Sequence, residues 1–266
     1  MGDLKRASEL FEDRVDKNDY YDAASSELSK TTLLALIDEA ERRPIFLLGD
    51  PGVGKTKMLH TLKQALREKG DTRTIVHLDE PFFDPLSFLQ RLARECGLAE
   101  EGPMDDLKNR VVDHFRESEH LIMIDEAQLM NESSLEFLRI LSDTKAFRFL
   151  LSMHKEEGEE ILRKPHFKSR SHKVVQIGRL DAVEVGEYLS TTLLREGLGE
   201  ISTMLDKGVV RRIHRYSEGN FRNVKRMAQV LFELMEHARS NGLKQYRKPN
   251  ACLLDMAAID LGLIDA

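Results

Sequence analysis

The sequence predicts an α/β fold, with a five-stranded parallel sheet covered by helices on both faces, followed by a small all-α domain. Two observations predict this fold. Up to about residue 181, short apolar runs alternate with helix-length segments, and such alternation is typical of a parallel sheet with helices on both faces. From Ala182 onward the sequence shows only helical periodicity.

Each strand is predicted from an apolar run that ends at glycine or at polar residues. The first run, 45–48, follows a helix predicted over 31–42 and stops at Gly49. The other predicted strands are 74–78, 121–124, 147–153 and 174–177, and the helices between them are 57–69, 85–96, 104–118 and 133–142. Four helices are predicted after the sheet, at 183–196, 201–216, 221–241 and 250–261.

These elements divide the chain into three predicted parts. Residues 1–30 are polar and acidic and are assigned to an N-terminal extension, residues 31–181 to the α/β domain, and residues 182–266 to the helical domain. The apolar runs are far shorter than the roughly 20 residues needed to span a bilayer, so we expect no membrane insertion. The N-terminus has no apolar segment typical of a secretory signal, which favours a cytoplasmic location.

Charge is unevenly distributed along the chain. The 40 basic and 46 acidic residues give a net charge of −6, but residues 207–248 contain eleven Lys or Arg against three Glu, a charge of +8. The remainder therefore carries −14. This asymmetry favours an anionic partner for the second part of the chain, and DNA is one candidate.

The most informative segment lies between the first strand and the next helix. It reads Gly49-Asp50-Pro51-Gly52-Val53-Gly54-Lys55-Thr56 and fits the phosphate-binding loop GxxxxGK[ST] in its expected context. Backbone amides of such a loop, together with the following helix N-terminus, bind phosphate oxygens. We expect Lys55 to contact the β- and γ-phosphates and the Thr56 hydroxyl to bind Mg²⁺, and we include the adjacent Lys57 in the nucleotide site.

Two carboxylates follow the third predicted strand. Asp125 and Glu126 come directly after the apolar run 121–124, which places them at the carboxyl edge of the sheet beside the phosphate loop. We expect Asp125 to hold Mg²⁺ and Glu126 to deprotonate the attacking water. The alternative is a strand that simply ends in two solvated acids.

Further polar residues are candidates for contacting the γ-phosphate. Ser152 and His154 end the fourth predicted strand, and the sequence leaves open which of them faces the nucleotide. Arg170 precedes the last strand, and Arg222 lies in the first turn of the helix after Gly219-Asn220. Either arginine could neutralise transition-state charge, or lie on a solvated basic face.

These motifs together resemble the AAA+ ATPases, and specifically the ExeA-like and TniB-like bacterial branch. The resemblance rests on GDPGVGKT, LIMIDEAQLMNESSLEFLRILSD, FKSR and SEGNFRNVKRMA. It implies that Gly49–Thr56 is the Walker A loop, Asp125 and Glu126 the Walker B pair, Arg170 an arginine finger acting in trans, and Arg222 sensor 2. Ser152 or His154 departs from the Asn or Thr that is common at sensor 1.

The resemblance also implies ATP/ADP and Mg²⁺ as cofactors, and a homo-oligomeric ring or filament with active sites between subunits. The leading hypothesis is an ATP-hydrolysing protein that assembles or remodels a partner complex of the secretion or pilus type. One alternative is a DNA-binding ATPase of the transposition or replication-initiator type. A second alternative is a nucleotide switch that does not hydrolyse ATP.

Overall fold

The computed structural model describes residues 2–12 and 23–265 of the chain. Part of the predicted N-terminal extension, residues 13–22, lies outside the described residues. The described chain forms two compact units. The α/β unit comprises residues 26–51 and 55–177, and the helical unit comprises the described residues of 1–25, 52–54 and 178–266.

The α/β unit is built on a five-stranded sheet in which every pairing is parallel, in the order β2-β3-β4-β1-β5. The predicted fold class is therefore confirmed. The strands β1 and β3 are buried at every position, as expected for strands covered on both faces. The strands are β1 (Ile45–Gly49), β2 (Thr74–Leu78), β3 (His120–Ile124), β4 (Phe149–His154) and β5 (Lys173–Gln176).

The helices of this unit follow the predicted alternation, with two additions. Lys155–Arg163 and Pro165–Lys168 form helices between the last two strands, where no helix was predicted. The first helix of the sheet domain ends at Ile37 rather than at residue 42. The helices are α2 (Ala24–Ile37), α3 (Lys55–Glu68), α4 (Pro85–Glu95), α5 (Met104–Glu117), α6 (Glu132–Asp143), α7 (Lys155–Arg163) and α8 (Pro165–Lys168).

The helical unit contains an N-terminal helix as well as the helices that follow the sheet. The helices of this unit are α1 (Asp3–Leu10), α9 (Ala182–Arg195), α10 (Gly199–Met204), α11 (Lys207–Ser217), α12 (Phe221–Ser240) and α13 (Ala251–Asp260). In neither unit does the described chain contain a helix that is both long and apolar enough to cross a bilayer.

The N-terminal helix α1 forms part of the core of this unit. Leu4, Ala7 and Phe11 are buried, and the Phe11 ring packs against Tyr188 at 6.0 Å and Phe232 at 5.9 Å between ring centroids. From the sequence, these residues were predicted to belong to a polar extension, because residues 1–30 are polar and acidic as a whole. Their partners lie more than 170 positions away along the chain, beyond the reach of any local pattern.

The helix predicted over 201–216 is two helices in the structure. Leu205 has non-helical backbone angles, and the Asp206 side chain accepts hydrogen bonds from the backbone N–H groups of Gly208 and Val209 at 2.7 and 2.9 Å. An aspartate in this position is a strong N-cap and starts a new helix. Apolar periodicity continues through the break, which is why the sequence pattern alone predicted one helix.

Candidate functional site

The loop between β1 and α3 has the backbone that phosphate binding needs. Gly52 and Gly54 have φ angles of 81° and 103°, in the region that favours glycine. A Cβ on Gly54 would meet no other atom within 4 Å. Glycine is therefore required at this position by the backbone conformation and not by a lack of space. The loop ends where α3 begins, at Lys55, and a helix N-terminus attracts anions.

The Lys55 side chain is buried, with a relative exposure of 5%, and folds back over its own loop. Its Nζ donates hydrogen bonds to the carbonyl oxygens of Gly49 at 3.0 Å and Asp50 at 3.2 Å. These bonds satisfy a buried ammonium group and hold it inside the loop. A phosphate that enters the loop therefore meets a cation that is already inside it, bound to two loop carbonyls.

The acid pair lies at the carboxyl end of β3, as the sequence predicts. The backbone N–H of Asp125 donates to the carbonyl of Leu78 at 2.9 Å and extends the β2–β3 pairing by one residue. Asp125 is 2% exposed, and its Oδ1 accepts a hydrogen bond from the backbone N–H of Glu126 at 2.9 Å. The backbone of Glu126 has a left-handed conformation, with φ 49° and ψ 34°. This conformation costs a non-glycine residue about 1 kcal/mol. Such strained residues cluster at functional sites.

Gln128 joins Glu126 to the end of β4. Its Nε2 donates to Glu126 Oε2 at 2.5 Å, and its Oε1 accepts from the backbone N–H of His154 at 3.1 Å. The two bonds fix which end of the amide faces each partner. Gln128 lies within the segment LIMIDEAQLMNESSLEFLRILSD, but no role was predicted for it from the sequence. Its position two residues after Glu126 was the available signal.

His154 also lies beside the carboxylate of Glu126. Its Nε2 is 3.4 Å from Glu126 Oε2, and its Nδ1 is 3.8 Å from Glu157 Oε1. Ser152, the other candidate, is fully buried in β4 opposite Leu47 of β1. Within the described chain its Oγ has no hydrogen-bond partner. The structure thus brings His154, and not Ser152, to the acid.

This difference predicts opposite effects for two substitutions. Ser152→Ala should leave nucleotide turnover unchanged and raise the free energy of unfolding by about 1 kcal/mol, because it removes a buried hydroxyl without a partner. His154→Ala should lower nucleotide turnover, and it should not raise the free energy of unfolding as Ser152→Ala does. Steady-state phosphate release and chemical denaturation of both variants check this. A loss of turnover in Ser152→Ala alone would reverse the choice between the two residues.

Arg170, proposed from the sequence as a residue that acts on a neighbouring subunit, is held within its own chain by α6. Its Nε and Nη2 donate to the two carboxylate oxygens of Asp143 at 2.7 and 2.9 Å, and its Nη1 donates to the carbonyl of His166 at 2.7 Å. The hydrogen bond from Arg170 lowers the pKa of Asp143. Among the hydrogen bonds of the described chain, none joins Arg170 to Glu126 or to Lys55.

Arg222 begins α12 in the helical unit. Its side chain is exposed, and its backbone N–H donates to the carbonyl of Gly52, a residue of the same unit, at 3.0 Å. The Asn220 side chain caps this helix by accepting from the backbone N–H of Asn223 at 3.3 Å. A Cβ on Gly52 would lie 2.8 Å from Asn220 Oδ1, so space as well as conformation requires glycine there.

The donor set of the site fits Mg²⁺. Thr56, in the first turn of α3, has an exposed side chain, and Asp125 presents a buried carboxylate at the carboxyl end of β3, which β4 separates from β1. Hydroxyl and carboxylate oxygens are the ligands that Mg²⁺ prefers, with water and phosphate oxygens completing its octahedron.

Comparisons with known proteins bear on the fold. Residues 37–162 match a protein family described as AAA domain, and no curated protein sequence matches the chain. The structure of Cdc6p from Pyrobaculum aerophilum has a TM-score of 0.60 at 16% identity, covering 88% of this chain and 66% of that one. The Aeropyrum pernix ORC2 protein, in ADPNP–ADP complexes, gives 0.58 at 16%, covering 94% and 70%.

A third similar structure is the Aeropyrum pernix ORC1 protein in complex with DNA. It has a TM-score of 0.57 at 13% identity and covers 96% of this chain and 69% of that one. This chain thus spans about two thirds of the length of the structures that it resembles. At these identities the comparisons show the fold, which is that of an AAA+ P-loop NTPase.

Proposed function

We propose that this chain, which has the fold of a P-loop NTPase, binds ATP with Mg²⁺ and hydrolyses it to ADP and phosphate. The observation that carries the proposal is the position of Glu126, which is strained in its backbone and bound by Gln128 beside His154. A chain that only bound nucleotide would have no need of a carboxylate oriented in this way. The non-hydrolysing switch is therefore the less favoured alternative.

Each residue then has a distinct role. The loop 49–56, with Lys57, surrounds the phosphates, and Lys55 moves its ammonium from the Gly49 and Asp50 carbonyls to the β- and γ-phosphate oxygens. Thr56 and Asp125 hold Mg²⁺, which would neutralise phosphate charge. Glu126 accepts the proton of the attacking water, and His154 contacts the γ-phosphate or that water. Arg222 contacts the phosphates from α12.

We assign Arg170 to the active site of a neighbouring copy in a homo-oligomeric ring or filament. An exposed ion pair contributes little to stability, so release of Arg170 from Asp143 presents a small barrier to such a transfer. A triphosphate in the neighbour's site carries more negative charge than one carboxylate and offers the same bidentate geometry.

A mixing experiment tests this assignment. Arg170→Ala should lower ATP hydrolysis at least tenfold, since arginine fingers contribute roughly 10³-fold or more. Adding the inactive Lys55→Ala chain should restore part of the activity, because that chain still supplies Arg170 to its neighbour. The matched control is the Lys55→Ala/Arg170→Ala double variant, which should restore none. Equal phosphate release in the two mixtures would argue against action in trans.

For the work done by hydrolysis we retain two hypotheses. The first is the assembly or remodelling of a protein partner complex, of the secretion or pilus type, by a cytoplasmic oligomer. It rests on the sequence resemblance described above.

The second is DNA binding of the initiator or transposition type, and an observation on the helical unit favours it. Arg211, Arg226, Lys244, Arg247 and Lys248 are exposed, and none of them forms an ion pair with an acid of the described chain. Unpaired cations of this kind bind phosphates and release counterions. The similar ORC1 structure is a complex with DNA, which supports the same hypothesis.

The DNA hypothesis predicts a charge-specific weakening of binding. Arg211→Gln/Arg226→Gln should weaken binding to duplex DNA and lower the slope of log affinity against log salt by about 1 for each arginine that binds a phosphate in the parent. Fluorescence anisotropy of a labelled duplex, with ATP and with ADP, measures both quantities. Arg116→Gln, which removes one exposed arginine of α5, is the control and should bind as the parent chain does. Absence of binding by the parent would leave the protein-partner hypothesis.

A further inference from the structure

A second cluster of chemically capable side chains contains none of the residues used above. His60 is on α3, His77 is in the edge strand β2, and Asp79 follows that strand. The Nε2 atoms of His60 and His77 lie 3.9 and 3.7 Å from the same oxygen, Asp79 Oδ1. One ligand atom from each residue lies within 4.8 Å of the other two. The imidazole rings pack edge to face, with centroids 4.9 Å apart.

His77 is the unusual member of the cluster. Its side chain is 4% exposed, and its Nε2 is buried without a hydrogen-bond partner in the described chain. A buried polar atom without a partner costs about 1–3 kcal/mol. This nitrogen points toward His60 and Asp79, and the ligand atoms of all three residues lie close together. A group bound between the three atoms would give the His77 nitrogen its missing partner.

The ligand types indicate what that group is. Two imidazoles and one carboxylate suit borderline first-row divalent ions, whereas Mg²⁺ and Ca²⁺ prefer an all-oxygen set. Tetrahedral Zn²⁺ with bonds of about 2.0–2.1 Å places its ligand atoms about 3.4 Å apart. The two separations from Asp79 Oδ1, 3.9 and 3.7 Å, need to close by a few tenths of an ångström, and the Asp79 side chain, 73% exposed, can rotate to do so. The ligand atoms of the two histidines lie within 4.8 Å of each other.

We propose that His60, His77 and Asp79 form a binding site for a divalent transition-metal ion, with Zn²⁺ as the ion that fits best. A water molecule would complete the tetrahedron on the solvent side. The site would tie α3, which starts at Lys55, to the edge strand β2. Lys63, whose charge acts on His77, opposes a cation there, so Lys63→Gln should tighten binding.

The test uses the full chain, stripped of metal with a chelator and kept free of nucleotide. Co²⁺ is the spectroscopic probe, because tetrahedral coordination gives visible absorption bands, and Zn²⁺ is titrated by calorimetry. His60→Gln and Asp79→Asn alter partly or largely exposed ligands and should fold as the parent does, which circular dichroism checks. His154→Gln is the matched control, since it removes one imidazole from outside the cluster. Asp125→Asn is the second control, for binding at the Mg²⁺ residues.

The parent chain should bind one Zn²⁺, show tetrahedral Co²⁺ bands and unfold at a higher temperature with Zn²⁺ present. Each of His60→Gln and Asp79→Asn should weaken Zn²⁺ binding at least about tenfold and remove the bands. His154→Gln should keep the bands and the affinity. Asp125→Asn should keep the bands and lower the affinity by less than either ligand variant does, because the Asp125 charge acts on His77 without being a ligand. Absence of binding by the parent would overturn the proposal, and so would equal weakening in His154→Gln or Asp125→Asn, or full binding by either ligand variant.

Discussion

Replacing Glu126 with glutamine should stop ATP turnover while leaving ATP binding intact. General-base catalysis contributes roughly 10²–10⁴-fold, so we expect the turnover rate to fall by at least about 100-fold. Glutamine keeps the length of the side chain and an oxygen that can accept from Gln128 Nε2, which donates to Glu126 at 2.5 Å in the parent. It has no carboxylate to take a proton from water. Affinity for ATP should change by less than about threefold, since the group does not bind phosphate.

Phosphate release and the binding of a fluorescent ATP analogue measure the two effects separately. Glu157→Gln is the matched control, because Glu157 is a carboxylate on the other side of His154, with its Oε1 3.8 Å from His154 Nδ1. It should retain turnover. Hydrolysis at the parent rate by Glu126→Gln would refute the assignment of the base and would direct attention to the switch hypothesis.

Lys55→Ala should have the second large effect, the loss of nucleotide binding itself. Hydrogen bonds to charged groups contribute about 1.5–3 kcal/mol each, which corresponds to roughly a 10- to 100-fold decrease in affinity for each hydrogen bond to phosphate that is removed. The same substitution removes the donor that now holds the Gly49 and Asp50 carbonyls at 3.0 and 3.2 Å. The loop of this variant should therefore be less well ordered as well as less positive.

The binding of the fluorescent ATP analogue checks this prediction, and thermal unfolding with and without ATP gives a second readout. The parent should be stabilised by ATP and Mg²⁺, and Lys55→Ala should not. Lys69→Ala, an exposed lysine just after α3, is the control and should respond to ATP as the parent does. Stabilisation of Lys55→Ala by ATP to the same extent would contradict the role given to the lysine.

The sequence was sufficient for the features that depend on short-range patterns. The apolar runs in β1 and β3 and the glycines of the phosphate loop are local signals, and each is found in the structure where it was predicted. Because parallel strands end at the same edge of a sheet, the strand order was not needed to place Asp125 at the sheet edge that carries the loop.

Other features depend on contacts between distant residues and were not predictable. Nothing near Arg170 in the sequence indicates that Asp143, 27 residues earlier, accepts two of its hydrogen bonds. The choice between Ser152 and His154 depends on Gln128 and Glu126, which approach β4 only once the sheet has formed. The His60–His77–Asp79 cluster likewise combines a helix with a strand and the residue after it.

The packing of α1 against α9 and α12 has a consequence for the order in which the protein folds. Residues 26–177 contain the whole sheet, and they are synthesised before any of the five helices α9–α13. During that time the Phe11 side chain has no packing partner, because Tyr188 and Phe232 have not yet been synthesised. Domains generally fold as units during synthesis, so the sheet can form first while α1 remains a target for chaperones. The helical unit is therefore the last part to become resistant to proteases.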